Sequence, residues 1–246
     1  MLLRMLFIHH RICVENLLDR KNKGLYEFVR QSLKLSLKET NEPYYGILTK
    51  GNTAEIHIPY GKASPSSFAH ELLHAELKIK GVHFSTKLSV SERPLLVPIF
   101  SENLSDHITN VLEHRKMYPK FISMGYYEEE FLADSHISIL DPQKASSLVA
   151  KLKDGKGRYY PKGIGLFIGH YLAAICSCFS FFNYEKELQF LKTSEPSLTS
   201  ILDALVARWD EYDIEKEGDQ LVDSSLLISY DFLNEVEEWV KTIATY

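Results

Sequence analysis

The chain has 246 residues, 45% of them hydrophobic and 25% charged, with a formal net charge of -5. That balance excludes a disordered or low-complexity chain and suffices for one large globular domain or two small ones. An acidic chain with no basic stripe offers nucleic acid no electrostatic footprint. Its three cysteines, Cys13, Cys176 and Cys178, make no paired framework, so reduced thiols in the cytoplasm are the expectation.

Residues 1 to about 38 read as helical. Leu17, Leu18, Leu25, Phe28, Val29, Leu33, Leu35 and Leu37 fall at mixed three- and four-residue spacings, with Gly24 as a break and Asn41-Glu42-Pro43 as the end. The stretch Met1 to Arg11 is too short and too interrupted for a signal peptide. From Tyr44 to Tyr60 the period becomes two. Tyr45, Ile47 and Thr49, then Ala54, Ile56 and Ile58, flank Lys50-Gly51-Asn52, which predicts a hairpin. The second of these strands leads straight into the next helix. Its edge either pairs with an extended peptide or simply caps one side of the core.

The segment Ser64-Pro65-Ser66-Ser67-Phe68-Ala69-His70-Glu71-Leu72-Leu73-His74 contains His-Glu-x-x-His. Ser64 suits an N-cap, Pro65 the first helical turn, and Gly81 a C-terminal stop. On a helix, His70 and His74 lie one above the other on one face, where two imidazoles can grip one zinc ion. Glu71 projects from the adjacent stripe, placed to take a proton from an attacking water. A catalytic zinc site needs a third protein ligand from another element.

After a loop broken by Pro94 and Pro98, a second helix is predicted from near Ile99 to about Tyr118, before Pro119. Glu102, Asp106, Asn110 and His114 form a polar ridge spaced by four, opposite Leu104, Ile108, Val111 and Leu112. A helix starts again after Gly125, over Glu128-Glu129-Glu130-Phe131-Leu132, and another runs from the Asp141-Pro142 cap to Leu152. Ile164 to Phe182 carries no charge and reads as a buried apolar helix, with a membrane span as the weaker alternative. Leu198 to Trp209 and Tyr230 to Ile243 are amphipathic. No repeat or long linker forces a boundary. One domain over residues 1–246 is expected, with room for a helical C-terminal subdomain from about residue 141.

Four residues of the second helix compete for the third ligand. Glu102 and His114 exclude one another, being about 18 Å apart along a straight helix. Glu102-Asn103-Leu104-Ser105-Asp106 resembles the second-helix motif of thermolysin-like gluzincin peptidases. That resemblance covers roughly residues 64 to 118, and it implies Glu102 as ligand and Asp106 as the group orienting a zinc-bound histidine. Asn110 to Phe121, followed by Met124-Gly125-Tyr126, resembles a segment of uncharacterised bacterial proteins that also carry His-Glu-x-x-His, which implies His114 instead. Metallopeptidase-like proteins whose second helix reads Asn-x-Leu-Glu would implicate Glu113, and Asp106 is the fourth choice. The resemblance implies an α+β fold, a mostly helical zincin-like domain with a small antiparallel sheet preceding the motif helix. It also implies zinc-dependent hydrolysis of a peptide or protein substrate with Glu71 as general base. Tyr159, Tyr160, His170 and Tyr171 are candidate oxyanion donors. The alternative is a catalytically silent protein using the same fold for binding or regulation. No Gly-x-Ser-x-Gly occurs, and Gly155-Lys156-Gly157 and Gly163-Ile164-Gly165 lack the surroundings of a phosphate loop.

Overall fold

Leucine alternation, not helical spacing, opens the sheet. The computed structural model describes residues 13–86, 90–132, 140–177, 180–215 and 220–244. In it, α1 (Lys23–Ser32) buries Leu25 and Val29 and stops where Leu33 turns extended. The next residues, read above as helix, form strand β1 (Lys34–Thr40). Leu33, Leu35 and Leu37 alternate with Lys34, Ser36 and Lys38, a period of two that a strand can use, and parallel pairing with β3 selects it. Gly24 stands in the first turn of α1 and breaks nothing.

The expected hairpin forms from β2 (Gly46–Lys50) and β3 (Thr53–Pro59), with Gly51 at φ 56 in the two-residue turn. Glycine takes that left-handed conformation without the Cβ penalty. The sheet is mixed, however, not purely antiparallel: its order is β1-β3-β2, β1 pairing parallel and β2 antiparallel with β3. β3 is therefore the central strand. Of the two roles left open for this strand, a free edge for an extended peptide is excluded, because both rows of its backbone groups already pair. Ala54, Ile56 and Ile58 alternate into the core.

The fold is thus α+β and mostly helical. The described residues of Met1–Ile79 and Phe121–Ser135 form one compact unit, and those of Lys80–Lys120 and His136–Tyr246 a second. In the first, helix α2 (Pro65–Ile79) packs on α1, on β2 and on the short helix α4 (Glu128–Leu132). Its start is held from three sides. Ser64 Oγ accepts from Ser67 N at 3.1 Å, the N-cap the sequence predicted. The Tyr45 hydroxyl donates to Lys62 O at 2.5 Å and accepts from Ser64 N at 3.0 Å. Fully buried Asn22 donates from Nδ2 to Leu17 O at 2.8 Å and to Pro65 O at 3.0 Å. The Tyr126 hydroxyl donates to Asp19 Oδ1 at 2.9 Å. Burial and that carboxylate push the hydroxyl's pKa up.

In the second unit, α5 (Pro142–Leu152), α6 (Pro161–Ile175), α7 (Glu185–Ser194), α8 (Pro196–Glu211) and α9 (Gln220–Ala244) pack pairwise. Asp141 caps α5 by accepting from Lys144 N at 2.6 Å. The apolar helix is shorter than expected, Pro161–Ile175, and no helix among the described residues is long and apolar enough to cross a membrane. Its glycines serve packing. A Cβ at Gly163 would meet Lys151 O at 2.1 Å, and one at Gly165 would meet Ile99 O at 2.6 Å. The loop before α3 (Glu102–Ser123) is pinned by buried Arg93, which donates to Glu237 Oε2 and Asn234 Oδ1, each at 2.7 Å.

α3 runs past the predicted stop, with Pro119 inside it. An interior proline removes one backbone hydrogen bond and costs about 3 kcal/mol. Beyond it, fully buried Phe121 offsets this by packing on Tyr126 and Phe131, with ring centroids at 4.9 and 5.0 Å.

Because Asn22 is fully buried and joins two carbonyls, Asn22→Ala should lower unfolding free energy by about 2–4 kcal/mol. Urea unfolding followed by circular dichroism measures it, and a loss within 0.5 kcal/mol (about the effect of a surface change) would show that the network contributes little.

Candidate metal centre

The motif helix is buried nearly all round. Phe68, Ala69, Leu72, Leu73, Ala75 and Leu77 are inside, which explains why it forms the core of its unit. It nevertheless carries polar groups into that interior. His70 is 2% exposed and Glu71 4%. Burying an imidazole and a carboxylate side by side is costly unless each is engaged. His70 and His74, one turn apart, bring their ring centroids to 5.2 Å. The His70 ring also lies 4.6 Å from Phe131 and 6.5 Å from Phe121, so aromatic rings wall it on the protein side.

The third histidine stands on α3. Phe121 and His114 are seven residues apart, hence on one stripe of that helix. The turn that carries His114 is fixed by its neighbours. Leu112 O accepts from the buried Trp209 Nε1 at 2.7 Å. Arg115 grips Asp210 through both oxygens, at 2.6 and 2.7 Å, and this bond holds the Asp210 carboxyl below its usual range. Lys116 Nζ donates to Tyr212 O at 2.7 Å.

The structure brings three of the predicted residues together. His70, His74 and His114 each offer a ligand nitrogen, and these atoms all lie within 4.8 Å of one another. Glu102 is not in this group. Glu102, Asp106 and Asn110 are exposed along the ridge, whereas His114 is half-buried. The ridge is thus a solvated face over its first two turns and changes character at its end. Glu113, half-buried beside His114, is not in the group either.

The candidate oxyanion donors have other surroundings. The Tyr171 hydroxyl donates to Asp203 Oδ1 at 2.6 Å and that of Tyr159 to Glu195 Oε2 at 2.8 Å. Tyr160 is half exposed. His170 lines a cavity with His107, whose Nε2 lies 3.1 Å from Gly169 O. Among the remaining histidines, His57 pairs with Glu55 at 2.8 Å, and the backbone N of His83 donates to Ser225 Oγ at 3.0 Å. His9, His10, His136 and Cys178 lie outside the described residues. Sequence reasoning missed the rings around His70. Phe131 was legible as the apolar member of an acidic helix start, but nothing in its spacing points toward His70. It also missed Glu76, 6% exposed on the motif helix. No family model, curated protein or solved structure matches the chain.

Burial, with Lys144 the next cause, pushes the His170 pKa from 6.5 down to about 4. A depressed histidine stabilises the fold above its unfolded pKa and loses that contribution as pH falls. The wild-type chain should therefore lose stability relative to His170→Gln as pH drops from 6.5 to about 4. Parallel stability curves for the two proteins across that window, measured in urea, would contradict it.

Proposed function

We propose that the chain is a zinc-dependent peptidase acting on a peptide or protein substrate. One observation carries this reading: three histidine nitrogens within 4.8 Å of one another, with a buried glutamate next to the first of them on the same helix. The donor set suits the ion. Tetrahedral zinc with bonds near 2.05 Å sets its nitrogens about 3.3 Å apart, inside the observed spread, and three imidazoles leave the fourth position open. His70, His74 and His114 would hold it. In this reading His114 takes the place that the gluzincin resemblance gave to Glu102.

Zinc, when bound there, supplies Lewis acidity, lowering the pKa of water from about 15.7 toward about 7. Glu71 then does the proton work, accepting a proton from the attacking water and delivering it to the leaving amine. Its burial strengthens that role, because a carboxylate shielded from bulk solvent interacts more strongly with the proton it handles. Phe121 and Phe131 keep the His70 ring in a fixed orientation. A purely structural zinc site has no use for such a base, which favours an enzyme over a binding or regulatory protein. Cys13 and Cys176, neither in a disulfide, fit a reducing, cytoplasmic setting.

Glu71→Gln should retain zinc and lose about 10²–10⁴-fold in turnover of a responsive peptide drawn from a fluorogenic library. Unchanged hydrolysis in that variant would remove Glu71 from the mechanism. Metal content separates the ligands independently of any substrate. His114→Ala should weaken zinc affinity by about 100-fold or more, while Glu102→Ala leaves it as in the wild type. The reverse pattern would restore Glu102 as the ligand.

A further inference from the structure

The second unit contains a cavity of about 540 Å³, walled by Ile99, Leu104 and Leu166, with His107, His170 and Lys162 among its polar lining. A neighbouring hollow of about 610 Å³ shares Pro98, Lys162 and Leu166 with it and extends past Lys151 and Tyr160. Both fall in the size range of small-molecule sites, roughly 300–1,000 Å³. Among the described residues, neither is lined by an aspartate or a glutamate.

The lysine charges acting on His170 in this lining come from one helix. Lys144 and Lys151 are seven residues apart on α5, hence on one face, and both act electrostatically on His170. Lys162 stands at the start of α6. Among the described residues, the ammonium groups of Lys144, Lys151 and Lys162 have no carboxylate partner, whereas nearby Lys153 pairs with Glu195 and Arg158 with Asp154. In a chain of net charge -5, Lys151 and Lys162 in the lining, with Lys144 acting on His170, are a local inversion of the protein's charge. Burial pushes the His170 pKa down to about 4, so that side chain adds no positive charge to the lining near pH 7. Leu166 and Val97, 46% and 52% exposed, leave hydrocarbon surface open in the cavity lining. Apolar walls that meet a cationic group at their edge match a ligand with a hydrocarbon tail and an anionic head.

We propose that this cavity binds a single-chain anionic amphiphile, its tail against Ile99, Leu104 and Leu166 and its carboxylate or phosphate head between Lys151 and Lys162. This rests on the second unit alone and is independent of the histidine cluster. The test titrates the full chain, prepared without metal, with decanoate, decyl phosphate and decanol below their micelle-forming concentrations, using calorimetry and leucine-methyl spectra. One-to-one saturation is expected for at least one anion, with the Leu104 and Leu166 methyls shifting. Decanol should bind about tenfold more weakly or worse. Lys151→Glu combined with Lys162→Glu, both exposed positions, should weaken the anion about tenfold or more and leave decanol unchanged. The tighter of the two heads identifies whether the source is a carboxylate or a phosphate. No saturable binding, equal affinity for decanol, or an unaffected double variant would each overturn the proposal. Leu166→Gln supplies a second check, since it should weaken all three ligands through the tail.

Discussion

His70 and Glu71 are held inside an apolar helix, and that burial is the constraint from which the rest of the first unit follows. An imidazole and a carboxyl group in a hydrophobic interior are tolerated only where neighbouring groups fix their orientation and engage their polar atoms. The helix start is accordingly over-determined. Ser64 caps it, Tyr45 joins the two residues flanking Ala63, and Asn22 reaches Pro65 O from the preceding chain. Rotating α2 by a single residue position would break these bonds and drive His70 out of its cage of Phe121 and Phe131.

The central strand contributes to the same end. β3 alternates Ala54, Ile56 and Ile58 into the core and is paired on both sides before the chain enters α2. A strand with both edges occupied cannot slip in register without exposing its buried face. The approach to the motif helix is thereby fixed in both direction and length. Peptide recognition by strand addition to β3 itself would have needed a free edge on that strand, and the parallel pairing of β1 takes it.

α3 carries the third histidine. Its first turns are solvated at Glu102, Asp106 and Asn110, and Leu104 and His107 line a cavity instead. Its middle is clamped by Trp209, Asp210 and Tyr212 through Leu112 O, Arg115 and Lys116. Its end passes through Pro119 to the buried Phe121. One helix thus serves a wet face, a clamped turn and a buried anchor, and His114 stands between the last two.

The sequence by itself determined the elements whose signals are local. The Ser64-Pro65 start of the motif helix, the Gly51 hairpin turn, the Asp141-Pro142 cap and the one-turn spacing of His70 and His74 all depend on residues within a few positions of one another. Tertiary structure alone decided what depends on distant partners. The leucines at 33, 35 and 37 satisfy both a helical and a strand spacing, and only pairing with β3 selects the strand. Pro119 signals a stop in any local reading, and only the packing of Phe121 against Phe131 and Tyr126 carries the helix beyond it. The third position of the histidine cluster was equally out of reach. Glu102 and His114 sit on the same ridge with the same periodicity, and no spacing along the chain tells which end of a helix meets His70 and His74. That choice depends on which turn of α3 the surrounding side chains hold in place, and this is a property of the packed chain.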